Sequence, residues 1–113
     1  MSEIIISSGT TSVTTADASN TYLVESAGIL DILNGGTAFS TTINGGQQWV
    51  GLNGGSGTAS GTTINNGGVQ YVGQQGPGTA VSTTINSGGY QLVGDGGSGT
   101  AIDTTISCTA ARF

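Results

Sequence analysis

The sequence contains no histidine, and only one of its 113 residues is basic, Arg112. Without His there is no Ser-His-Asp triad, no Cys-His dyad and no imidazole metal ligand. Without Lys there is no Schiff-base amine and no phosphate-loop amine. One cation stands against Glu3, Asp17, Glu25, Asp31, Asp95 and Asp103, a net charge of −5. No basic surface is left to neutralise phosphates, which excludes nucleic-acid binding by charge. The single cysteine, Cys108, cannot form a disulfide within the chain. It reads as a small residue packing at one end, with an intermolecular disulfide as the weaker option. No apolar run reaches the length of a membrane span.

What is present is small and polar. Gly is the commonest residue, at 22 positions, Thr and Ser follow it, and charged residues are 6 % of the chain. So much Gly and Ser usually means disorder, but disordered chains usually carry more charge. Periodicity decides the question. Thr-Thr-Ile occurs at Thr41-Thr42-Ile43, Thr62-Thr63-Ile64, Thr83-Thr84-Ile85 and Thr104-Thr105-Ile106, at intervals of 21. The units are TTINGGQQWVGLNGGSGTASG, TTINNGGVQYVGQQGPGTAVS and TTINSGGYQLVGDGGSGTAID. The first lacks a residue before its Val-Gly and gains one after it, so coil length is kept while the turn varies.

Such a unit is too short for a helix pair, and Gly-Gly and Asn-Gly punctuate the chain. Two strand candidates per unit, one over 79–85 and one over 69–72, predict an all-β, single-stranded parallel β-solenoid. At about 4.8 Å per rung, roughly five coils make a rod about 25 Å tall. The chain divides into irregular N-terminal coils over 1–40, three regular repeats over 41–103 and an incomplete coil over 104–113. Gly9-Thr10-Thr11-Ser12-Val13 reads as an early copy of the segment Gly36-Thr37-Ala38-Phe39-Ser40, preceded by a strand at Ile4-Ile5-Ile6.

Alternation along 79–85 turns Ile85, Thr83, Val81 and Thr79 inward and Thr84, Ser82 and Ala80 outward. The expected core columns are Ile43, Ile64, Ile85 and Ile106; Phe39, Val81 and Ile102 with Ser60; and Val50, Val72 and Val93 with Ile32. Gln48, Gln70 and Gln91 follow Leu30 on the inward side of the second strand, which predicts an amide ladder. Between them run Asp31, Trp49, Tyr71 and Leu92. An Asp in that column argues that it faces out, as an apolar contact stripe of Trp49, Tyr71 and Leu92 for a protein or glycan. The opposite parity makes it core.

The acidic residues carry little chemistry. Asp95-Gly96-Gly97-Ser98-Gly99 looks like a calcium-binding turn, but the equivalent turns hold Asn53 and Gln75. Asp31, Asp95 and Asp103 read as solvated surface, not as a catalytic pair. The chain is therefore read as non-enzymatic, with no cofactor and no metal. An ice-binding reading of the outward Thr row is weaker, because that row is bordered by Ala.

TTINNGGVQYVG and TTINSGGYQLVG, each followed by GxGTA, resemble the strand-loop-strand repeats of AIDA-type autotransporter passengers. The resemblance runs from about Ala27 to Ile106 and more loosely over 5–15. It implies a parallel β-helix outside the bacterial cell that mediates adhesion, autoaggregation and biofilm formation and is O-heptosylated on Ser or Thr. Carried over by position, the acceptors are Thr42, Thr63, Thr84 and Ser82. The chain is far shorter than a passenger and has no translocator barrel. Its opening Met1-Ser2-Glu3-Ile4-Ile5-Ile6 lacks the basic region and cleavage site of a Sec signal peptide. It is expected either to begin a larger secreted protein or to leave the cell by another route.

An open solenoid exposes unpaired backbone at both ends. With no cap recognisable in the sequence, head-to-tail stacking into a filament is expected, with Ile4, Ile5, Ile6, Arg112 and Phe113 at the joint. The partner is then another copy of the chain. The competing expectation is an adhesin segment of a larger surface protein that binds glycan or a host surface.

Overall fold

Three short strands, not two, make each coil. The computed structural model describes residues 2–13, 16–17, 20–33, 35–51, 56–65, 67–74, 76–86, 88–94, 97–106 and 111–112. The first coil holds β1 (Ser2–Ile6), β2 (Gly9–Val13) and β3 (Ala16–Asp17), and the second β4 (Asn20–Glu25), β5 (Gly28–Ile32) and β6 (Gly36–Phe39). The third holds β7 (Thr41–Asn44), β8 (Gln47–Val50) and β9 (Gly57–Ser60). Then follow β10 (Thr63–Asn65), β11 (Val69–Val72) and β12 (Gly78–Val81), and β13 (Thr84–Ile85), β14 (Tyr90–Val93) and β15 (Gly99–Ile102). The described strands end with β16 (Thr105–Ile106) and β17 (Ala111–Arg112).

Each strand pairs in parallel with its counterpart one coil away, which gives three sheets around one core. The first sheet is β1-β4-β7-β10-β13-β16, the second β2-β5-β8-β11-β14-β17 and the third β3-β6-β9-β12-β15. This is a parallel β-solenoid with coils of about 21 residues. Ile43, Ile64 and Ile85 lie in register, as do Gln48, Gln70 and Gln91. The step from Gln48 to Gln70 is one position longer than that from Ile43 to Ile64, so the compensating insertion sits in the turns.

Residues at positive φ form the corners. Between the third and first sheets stand Ser40, Gly61, Ser82 and Asp103, with φ of 55°, 75°, 58° and 58°. A left-handed residue turns the chain without continuing the pleat, so the alternation restarts after it. Val81 and Ser82 both leave the core, and Thr83 enters it. Gly73 marks another corner, after the second sheet, at φ 79°. A Cβ there would run into the carbonyl of Ser98 on the next coil, so only Gly fits.

That corner corrects one expected core column. Phe39, Val81 and Ile102 face outward, and Ile102 is 45 % exposed. The third sheet contributes Ala38, Ala59 and Ala80 to the core instead, each fully buried. Ile43, Ile64, Ile85, Val50 and Val72 are also fully buried. Val93 is half-buried and Ile106 is 46 % exposed, since both lie on the last rungs of the described stack. A second correction concerns the first coil. Gly9–Val13 is in register with Gly28–Ile32, while Ala16 and Asp17 pair with Thr37 and Ala38. Thus Gly9-Thr10-Thr11 is a second-sheet strand and no copy of Gly36-Thr37-Ala38. The register steps from Gly9 to Gly28 and from Ile29 to Gln47 are shorter than the step from Ile43 to Ile64, so the early coils are the tighter ones.

Inside, the amide ladder is continuous over three coils. Gln70 Nε2 donates to Gln48 Oε1 and Gln91 Nε2 to Gln70 Oε1, both at 2.7 Å. Thr62, Thr83 and Thr104 donate their hydroxyls to the Oε1 atoms of Gln48, Gln70 and Gln91 at 3.3, 3.4 and 3.3 Å. One rung earlier Leu30 takes the Gln position and offers no acceptor. Gln48 Nε2 and Thr41 Oγ1 are accordingly buried without a partner.

Candidate functional site

Among the described residues, no three His, Cys, Asp or Glu side chains come together as a metal site. On the outer faces of the three sheets the period-two pleat repeats the same positions on every coil.

The second sheet carries the aromatic stripe. Its outward positions form two columns, Ile29, Gln47, Val69 and Tyr90, and Asp31, Trp49, Tyr71 and Leu92, in register from β5 to β14. Thr10 and Ser12 of β2, both exposed, begin the two columns. Most of the rest are half-buried, and Tyr90 is 41 % exposed. Trp49 and Tyr71 stack with ring centroids 4.2 Å apart and planes 24° from parallel. Trp49 Nε1 donates to Gln47 Oε1 at 2.8 Å, which fixes the indole over its own strand. One face of each ring is turned to the other, and the faces so covered are closed to a sugar ring, which stacks on aromatic faces. Asp31 stands next to Trp49 in the stripe. Its Oδ1 is buried with no donor, and burial pushes its carboxyl up from the ordinary carboxylate range.

The first sheet presents Thr42, Thr63, Thr84 and Thr105 in one row beside Asn44, Asn65 and Asn86. Asn86 Nδ2 donates to Asn65 Oδ1 at 2.6 Å, a second, external ladder. Thr42, Thr63 and Thr84 are half-buried, while Ser82 at the corner is exposed beside them. The third sheet presents Thr37, Thr58, Thr79 and Thr100, a hydroxyl row that the alternation through residue 82 had turned inward. Ser, Gly, Ser and Asp at 40, 61, 82 and 103 are all turn-forming residues, and that recurrence was the signal for the corner. The Thr rows thus stand on two different sheets with a corner between them, and not as one flat pair.

Of the residues expected at a subunit joint, Ile5 faces outward and is 57 % exposed, Ile4 is half-buried and Ile6 is 4 % exposed. Arg112 stands on β17 in register with Gln91. Phe113, Cys108 and the turn residues Asn53, Gln75 and Asp95 lie outside the described residues.

No protein-family model matches the chain, and no curated protein matches it. A solved structure does. It is the crystal structure of a TibA55-350 fragment hyper-glycosylated by TibC, 32 % identical over 97 % of this chain, with a TM-score of 0.68. The chain spans 35 % of that fragment.

Proposed function

We propose that this chain, whose coils are repeats of the AIDA-type autotransporter passenger kind, is a non-enzymatic solenoid that works outside the cell as an adhesive surface and associates with itself. One observation carries the reading. A solved structure similar to this chain over 97 % of its length is that of a hyper-glycosylated fragment. The outer faces agree with it. They hold hydroxyls, amides and aromatic rings, and the described ionisable side chains number few, Glu3, Glu25, Asp31 and Asp103 among them. Two such surfaces meet with little electrostatic cost.

The hydroxyl rows are the natural acceptors for sugar. Ser82 at the corner and Thr42, Thr63 and Thr84 on the first sheet are the proposed positions. Co-production with TibC, followed by intact mass and peptide mapping, tests this. Added hexose- or heptose-sized increments on these residues are expected, and an unmodified mass refutes the acceptor assignment. Self-association is tested by light scattering of the purified chain against concentration. Scattering that stays at the monomer value throughout refutes it.

The rung of β15 and β16 favours one particular geometry, end-on stacking into a filament. β15 and β16 stand last in the third and first sheets among the described strands, and a coil from a second copy would add to them there. Negative-stain microscopy that shows only compact particles at every concentration removes the filament. The alternative reading is a segment of a larger surface adhesin that holds a glycan or a host surface.

A further inference from the structure

We infer that Asn44 is a site of spontaneous covalent modification, where the backbone nitrogen of Gly45 closes on the side-chain amide and water converts the asparagine to aspartate and its β-linked isomer. The inference goes beyond the adhesive reading and does not depend on it.

The argument compares three rungs of one row. Asn44 and Asn65 are in register at the ends of β7 and β10, and Asn86 bonds to Asn65 from the next coil. The three amides are chemically alike, but their surroundings differ. Asn65 and Asn86 are half-buried and joined to each other at 2.6 Å, whereas Asn44 is exposed. The residues that follow them are Gly45, Asn66 and Ser87. Ring closure brings the nitrogen of that following residue onto the side-chain carbon Cγ, and a Cβ there crowds the approach. Only Gly has none.

The turn differs as well. Gly68 N–H and Gly89 N–H donate back to the carbonyls of Asn65 and Asn86, both at 2.9 Å, and so close the turns that follow. The turn after Asn44 is one residue shorter, with only Gly45 and Gly46 before β8. Gly45 sits at φ 87°. Its N–H reaches the Asn65 carbonyl at 3.3 Å, a longer bond than any other described at the turns and corners. A bond that long is weak, so the nitrogen gives it up readily.

The reaction balances with water alone. Gly45 N bonds to Asn44 Cγ and loses its proton, the Cγ–Nδ2 bond breaks, and ammonia leaves with that proton. One water then opens the five-membered imide. Attack at Cγ breaks the new bond and leaves aspartate in the ordinary backbone. Attack at the main-chain carbonyl carbon leaves the backbone running through Cγ instead. Nothing is oxidised or reduced.

Both products change the rung. Each adds a carboxylate to a chain of net charge −5. Glu25 is the register partner of Asn44 on the preceding coil, so two carboxylates then stand about 4.8 Å apart, a destabilising pair. The β-linked product also lengthens the main chain by one atom. Gly46 already lies so close to the Glu25 carbonyl that a Cβ there would run into it. A corner with no space for a methyl group has none for an extra methylene in the backbone. The modified rung therefore loosens, two residues from Thr42 on the same strand.

Peptide mapping tests the site. The full chain is kept folded in mildly alkaline buffer made with heavy-oxygen water, sampled over weeks and digested with chymotrypsin in ordinary water. Cleavage after Phe39 and Trp49 leaves Asn44 as the only asparagine of its peptide, and cleavage after Tyr71 and Tyr90 does the same for Asn86. The heavy label marks conversion that preceded digestion, and methylation by an isoaspartyl methyltransferase reports the β-linked product. Asn44 is expected to convert severalfold faster than Asn86. Asn44→Asp, which supplies the carboxylate directly, is expected to unfold at a lower urea midpoint than the parent, by a gap that salt narrows. Equal conversion at the two positions overturns the assignment, and so does an Asn44 that converts in the urea-unfolded chain but not in the folded one. A parental midpoint for Asn44→Asp overturns the loosening of the rung.

Discussion

Gln70 stands at the middle of the internal ladder, and replacing it with Leu separates the polar contribution from packing. Leu fits the column, since Leu30 occupies it fully buried one rung before Gln48. The substitution therefore opens no large cavity. It removes the acceptor of Gln91 Nε2 and of Thr83 Oγ1, while Gln48 Oε1 keeps the Thr62 hydroxyl. Each donor left buried and unpaired costs about 1–3 kcal/mol, so the pair costs roughly 2–6. Burying a Leu side chain returns about 2 kcal/mol. The net expectation for Gln70→Leu is a loss centred on about 2 kcal/mol.

Position 30 supplies the reciprocal experiment. Leu30→Gln places an acceptor beside Gln48 Nε2 and Thr41 Oγ1, both buried without partners. Thr11, next in register, offers its hydroxyl to the new amide. The gain from pairing two orphans offsets the lost Leu burial, so the variant should match or exceed the parent by up to about 2 kcal/mol. Urea unfolding followed by Trp49, the only tryptophan, reads both midpoints. A Gln70→Leu chain as stable as the parent, or equal losses in both variants, would refute the ladder argument.

Other consequences follow from position in the stack. Ile64→Ala, between Ile43 and Ile85 and fully buried, should cost about 2–5 kcal/mol, while Ile106→Ala on an exposed rung should cost below about 1 by the same midpoint measurement. Ser82→Gly should be tolerated, because Gly61 holds the same corner, whereas Ser82→Val should cost about 1–3 kcal/mol for a β-branched residue at φ 58°; an unchanged midpoint for Val would remove the corner's strain. Burial raises the Asp31 pKa above its unfolded value, so its contribution is fully present below the unfolded pKa and is lost as pH rises through the folded one. Asp31→Asn should accordingly gain stability over the parent as pH rises from acid to neutral, and a difference between the two chains that does not change with pH would refute this.

The stacked columns were legible in the sequence because a repeat of constant length leaves little freedom. Once Thr-Thr-Ile recurs at a fixed interval, a solenoid must lay Ile43, Ile64 and Ile85 over one another, and the Gln column follows by nearly the same step. Which way a side chain points is a separate matter. Pleat parity holds only while the backbone stays extended, and a single left-handed residue resets it. The stretch over 79–85 alternates plausibly as one strand, with Val81 and Ile85 as its apolar residues, so hydrophobicity favoured the wrong parity there. Ser at 40 and 82 hid the corner, since non-Gly residues at φ near 58° are uncommon and Ser is at home in a strand.

That one reset decides what the third sheet can do. With Ala38, Ala59 and Ala80 inside, the core receives only methyl groups from this side, and the larger Phe39, Val81 and Ile102 go to the surface beside Thr37, Thr58, Thr79 and Thr100. Each outer face thereby acquires its own chemistry. The first sheet is Thr and Asn, the second aromatic and apolar, the third Thr and aliphatic. Sugar confined to the hydroxyl rows would cover the first and third sheets and leave the second bare, since the outward positions of the second sheet from β5 to β14 hold no Ser or Thr.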